Sequence, residues 1–155
     1  MPSPFFRTLV AAFVERPARR AGPERLAERL EASLNSLTAR YAAAADEAKA
    51  AKTLRHVIGI ERWGQRRLRV ALGDVAYERD EHHAYKPPDD LPLGALVDEL
   101  RATRAETVAL ARRVAAEGKE GVAVEHNGIG PLTAAAWLRY LRQHGDLESW
   151  RVRTR

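Results

Sequence analysis

Apolar residues recur every three or four positions through four long stretches of the chain, the period of a helix face and not of a strand. The first opens at Gly22-Pro23 and carries Leu26, Leu30, Leu34, Leu37 and Tyr41 on one stripe. The small residues at 42–45 supply no bulky anchor, and Asp46 is placed to cap a second helix over about Glu47 to Leu72. Leu54, Val57, Ile58, Glu61, Leu68 and Leu72 form its pattern, with Gly73 at its end. A third runs from about Leu91 to Glu117 through Leu93, Leu96, Val97, Leu100, Val108, Leu110 and Ala111, with Arg101, Arg104, Arg112 and Arg113 expected toward solvent. The fourth follows a Gly/Pro turn. Thr133 is its expected cap, Leu132 and Trp137 have the spacing of a hydrophobic staple, and Trp137, Leu138, Tyr140, Leu141 and His144 share the buried face.

A short helix is predicted ahead of these four, with Ser3 as its cap, Pro4 in its first turn and Pro17 as its stop. Residues 74–90 read as a polar loop whose adjacent His82 and His83 are expected to be solvated, and Val122 to Val124 is too short to be predicted as a strand. The expected fold is therefore all-α. A four-helix bundle covers 21–150, an N-terminal amphipathic helix and linker covers 1–20, and a basic tail covers 151–155.

Composition narrows the chemistry. Alanine, leucine, arginine and glutamate dominate, which agrees with helices. The 155 residues include no cysteine, so disulfides, thiolate metal sites and a protein-borne thiol nucleophile are excluded, and a thiol must arrive on a substrate. The net charge is +5, but 26 basic residues are interleaved with 21 acidic ones, as on a solvated surface. That pattern, without interleaved aromatics, argues against a nucleic-acid partner. No apolar run approaches the roughly 20 residues that span a bilayer, and the first segment lacks a basic residue ahead of its apolar stretch. A cytoplasmic protein is the expectation, with no membrane association.

Two positions in the last helix bear on function. His144 and Glu148, four residues apart, share one helical face and suit a divalent metal. The pairing requires the helix to continue past Gly145; a stop there would leave Glu148 as a helix end. In the second helix His56 and Gly59 stand out, and a mid-helix glycine indicates close approach of another helix or of a ligand. Glu61 reads as a surface or supporting group, His126 as a structural turn residue, and Trp63 and Trp137 as core.

Leu54-Arg-His56-Val-Ile-Gly59-Ile-Glu61-Arg-Trp63, taken with His126…Gly130-Pro-Leu-Thr133…Trp137-Leu…His144, resembles the DinB/YfiT-like superfamily over roughly residues 24–149. The resemblance implies a bundle with an up-down-down-up helix order and a divalent metal at one end of its cavity. It also implies three ligands, usually histidines, one from the second helix and two from the last. Matched position by position these are His56, His144 and Glu148, so a carboxylate stands where the family has its third histidine. A set of two imidazoles and a carboxylate is sound for zinc, nickel, iron or manganese and leaves positions open.

The implied activity is that of a metal-dependent enzyme using a small thiol or water as nucleophile, resembling thiol S-transferases or hydrolases. No separate general base stands out. The alternative is a non-catalytic, stress-associated metal-binding or interaction protein that keeps the bundle. A homodimer is implied by the resemblance, with segment 4–16 as a candidate cover for its interface.

Overall fold

The computed structural model describes residues 3–155. Its helices are α1 (Pro4–Val10), α2 (Arg16–Ala21), α3 (Pro23–Ala42), α4 (Glu47–Leu72), α5 (Leu93–Ala116) and α6 (Ala134–Trp150). Strands β1 (Ala123–His126) and β2 (Gly130–Thr133) make one antiparallel hairpin. Among the described residues no helix is long and apolar enough to cross a membrane.

The caps expected from sequence are made. The Asp46 carboxylate accepts from the Lys49 amide at 2.9 Å, and the Thr133 hydroxyl oxygen accepts from the Ala136 amide at 3.2 Å. Each long helix packs on two others: α3 and α4 both lie against α5 and α6 and scarcely touch each other. Two apolar clusters mark the ends of this arrangement. One contains Leu30, Leu68, Leu110 and Trp137, the other Leu37, Leu54, Leu100 and Val152. The helices α3 and α6 run from the first cluster toward the second, whereas α4 and α5 run the opposite way.

That polarity explains the long connection at 73–92. Because α4 and α5 point the same way, the chain must return along the bundle between them. Asp80 pins the return: its carboxylate accepts from Trp63 Nε1 at 2.8 Å, from Arg67 at 2.6 Å and from the Tyr85 hydroxyl. Burial opposes ionisation of Asp80, but the donors from Tyr85, Trp63 and Arg67 prevail and hold its pKa below the usual carboxylate value. Nearby, Arg55 donates to the carbonyls of Pro88, Asp89 and Leu91.

Three sequence expectations need correction. Arg104, expected in solvent, is fully buried, and so is Glu61, for which a surface or a supporting place was expected. Arg104 Nε lies 2.7 Å from Glu61 Oε1, and Thr107 donates to the same oxygen at 2.8 Å. Position 104 lies four residues from both Leu100 and Val108, so helical geometry places it inward whatever its charge.

Pro17 does not stop the first helix. The chain passes through a π-helical turn at Ala11–Glu15 into α2, and the Phe13 carbonyl, which proline cannot serve, accepts from Arg139 Nε at 3.1 Å. The Val122–Val124 region does contribute a strand, because 130–133 returns antiparallel to it. The basic tail at 151–155 packs on the bundle: Val152 is buried, the Ala45 amide donates to the Arg153 carbonyl, and the Arg155 amide donates to the Ala43 carbonyl, both at 2.9 Å.

Candidate metal centre

The helix α6 runs without interruption through Gly145, so His144 and Glu148 keep their shared face. Gly145 is itself a packing position. A methyl group there would lie 3.3 Å from Arg104 Nη2 and in ordinary contact with Leu37 and Val57. His56 reaches the same place from α4. Ligand atoms of His56, His144 and Glu148 all lie within 4.8 Å of one another, and all three residues are half-buried.

The closest pair is His56 Nε2 and His144 Nε2, at 3.2 Å. Two nitrogens bound to one ion at about 2.0–2.1 Å, at a tetrahedral angle, stand about 3.3 Å apart, so the observed spacing needs little adjustment. The same spacing permits a hydrogen bond from one imidazole to the other when one ring carries its proton on Nε2. Donor chemistry favours the ion for a second reason. Burial lowers the His144 pKa to about 4, assisted by the neighbouring His56, His82 and Arg151 charges, so the ring is neutral and its lone pair is available at ordinary pH. The His56 pKa is lowered too, first by burial; Glu148 opposes the shift, and Lys86, His83 and Arg151 reinforce it.

Two further groups frame the cluster. Tyr41, on α3, is fully buried, and its hydroxyl has no hydrogen-bond partner among the described residues. Burial first, and then the Glu148 charge, push its pKa well above the usual phenol value. Arg151 pairs with Glu148 at 3.2 Å from the solvent side, where it competes for the carboxylate. The residues present thus fit a divalent ion: two neutral imidazoles and a carboxylate converge, with an unpartnered hydroxyl in the same electrostatic neighbourhood.

The other singled-out residues take different places. His126 is structural: its Nδ1 accepts from the amides of Gly128 and Ile129 in the hairpin turn, and its ring contacts Trp63, Trp137 and Tyr140. Trp63 and Trp137 are core residues, and Trp137 Nε1 donates to the Val124 carbonyl at 3.0 Å. His83 is exposed as expected, but His82 is half-buried, and its ring meets that of His56 edge to face with centroids 5.2 Å apart. Tyr41 and His82 are the neighbours that sequence reasoning missed. Gly59 carried the signal for His82, because it sits three residues beyond His56 and what approaches it is the 82–86 segment.

A cleft of about 630 Å³ lies elsewhere, between α3 and α6, with Ser33, Arg40, Arg142, Asp146 and Trp150 on its walls. This cleft and the donor chemistry therefore point to different places. The donor set carries more weight, since an open groove of that size needs no special residues whereas a convergent imidazole pair does. No protein-family model, curated protein or solved structure matches the chain.

Proposed function

We propose that this protein is a DinB-like four-helix bundle with up-down-down-up order, carrying a divalent metal on His56, His144 and Glu148. In this reading it acts as a metal-dependent enzyme with a small thiol or water as nucleophile, of the S-transferase or hydrolase kind. The observation that carries the proposal is the convergence of three ligand atoms within 4.8 Å from helices distant in sequence. The shared direction of α4 and α5, opposite to that of α3 and α6, and the capped turn before α6 support the bundle type.

The chain's own contributions follow from the geometry. Burial keeps the His144 ring neutral and so able to donate its lone pair. Glu148 adds a negative charge, which binds a dication more tightly and leaves it less Lewis-acidic than three imidazoles would. The Tyr41 hydroxyl, protonated and unpartnered, is a hydrogen-bond donor held ready for a ligand oxygen or sulfur. A bound divalent ion supplies the acidity that makes a thiol or water nucleophilic near neutral pH. A screen for thiol conjugation to electrophilic acceptors, run with metal-loaded and metal-stripped protein, tests the activity. Turnover that is indifferent to metal would reject it.

A second reading, a non-catalytic stress-associated metal-binding or interaction protein, draws on the separation of the α3–α6 cleft from the donor cluster. Homodimer formation belongs to the same proposal. Phe5 and Phe13 are 74% and 65% exposed, and they form the apolar face that a second copy would cover. Sedimentation of the full chain tests it.

A further inference from the structure

His82 has no part in the ligand set above, yet three observations direct it there. Gly59 lies one turn beyond His56 on α4, and the 82–86 segment is seated against it. A methyl group at Gly59 would fall 2.7 Å from Lys86 Cγ and 3.1 Å from the His82 carbonyl oxygen. The absent side chain is what lets this segment, a short 3-10 helix at His82–Tyr85, lie flat on the helix that carries a ligand. The His82 ring then meets the His56 ring edge to face at 5.2 Å, a centroid separation close to the 5.1 Å between His56 and His144. Lastly, among the described residues the half-buried His82 ring has no hydrogen-bond partner, and its other ring contact there is His83, at 4.0 Å.

We propose that His82 is a fourth, displaceable protein ligand of the centre. Resting on the metal-centre reading above, this assigns the return loop a role in coordination. Three firm ligands come from α4 and α6, whereas the fourth comes from a loop segment whose side chain can turn toward the ion or away. With an ion bound, the His82 imidazole would supply a fourth nitrogen donor beside His56, and its release as a neutral ring would open that position to a thiolate or hydroxide, with no bond within the protein broken and no oxidant or reductant needed. The selectivity that follows is for strong anionic donors, because a weak neutral one does not displace an imidazole.

Cobalt(II) titration followed by visible absorption tests this with the untagged 155-residue chain. Wild type and His82→Gln are compared, with circular dichroism melting to verify folding; His82 is on a loop, so the variant is expected to fold. The expected result is cobalt affinity lower by about tenfold or more in His82→Gln, altered d–d bands, and recovery of the wild-type bands on adding free imidazole. Gly59→Ala, which unseats the segment while keeping His82, is expected to shift the bands in the same direction. If wild type binds cobalt and His82→Gln matches it in affinity and spectrum, the fourth-ligand proposal is overturned and the three-ligand centre stands. If wild type takes up no cobalt, the centre itself is refuted and this proposal with it.

Discussion

His56 and His144 stand 88 positions apart in sequence, yet their Nε2 atoms are 3.2 Å apart at the α4–α6 contact. Neither helix brings the rings together alone. Glu148 joins them because α6 continues through Gly145, which packs against the polar layer around Arg104.

That layer gives the first expected outcome. Arg104→Met leaves the Glu61 carboxylate buried without its cation and should destabilise the protein by about 3–5 kcal/mol. Replacing both partners, with Glu61→Leu added, removes the stranded charge and should recover a large part of the loss. Urea unfolding of the two single variants and the double variant measures this. Additive losses would show that the pair is not a coupled unit.

Gly59→Ala sets helix propensity against packing. Alanine gains about 0.5–1 kcal/mol within the helix, but the new methyl meets the Lys86 side chain and the His82 carbonyl oxygen at 2.7 and 3.1 Å. Overpacking of this kind costs about 1–3 kcal/mol, so the net expectation is a loss of about 1 kcal/mol. Hydrogen exchange should quicken in 82–86 while α4 stays protected; unchanged exchange there would mean that the segment does not rest on Gly59.

The buried turn histidine predicts a pH dependence. Burial is the main cause holding the His126 pKa down at about 4, with the Arg67 charge adding to it, against an unfolded value of about 6.5. Between those values the unfolded chain binds a proton that the folded chain does not, so stability falls as pH drops from about 6.5 toward 4 and is flat above. The contribution is on the order of 2 kcal/mol after discounting for partial exposure. His126→Asn keeps an acceptor near the Nδ1 position without a titrating ring. Its stability, lower overall, should lose this part of the slope, and an unchanged slope would assign it to other groups.

The tie between the first helix and the hairpin can be cut at Glu15, whose carboxylate accepts from the Thr133 amide at 3.0 Å and its hydroxyl at 2.8 Å. Glu15→Ala is expected to cost about 1–2 kcal/mol and to open residues 4–21 to limited proteolysis while the four long helices stay intact. Equal protease resistance in variant and wild type would remove the carboxylate from the account of how α1 and α2 are held.

The long helices were legible in sequence because apolar spacing, Asp46 and Thr133 agree with one another at each boundary. Charge misled where periodicity would have sufficed: Arg104 belongs to the Leu100–Val108 stripe, yet it was expected outside. Pro17 misled in another way. Its rule concerns a missing amide and a crowded carbonyl, and a π-turn together with Arg139, distant in sequence, meets both demands. The three candidate ligands were readable once the turn before α6 was set beside the His56 helix. The position of His82 was not, since loop residues take their place from long-range ties such as those of Asp80 and Arg55, which carry no local period.

The central claim is that His56, His144 and Glu148 hold a divalent ion. Elemental analysis of protein purified without a histidine tag tests it most directly. About one equivalent of zinc, nickel, iron or manganese per chain is expected, lost in His144→Ala while circular dichroism shows the helices retained. Metal-free protein whose melting temperature is unmoved by chelators and by added divalent ions would contradict it, and the 3.2 Å contact would then be a hydrogen bond between two neutral imidazoles.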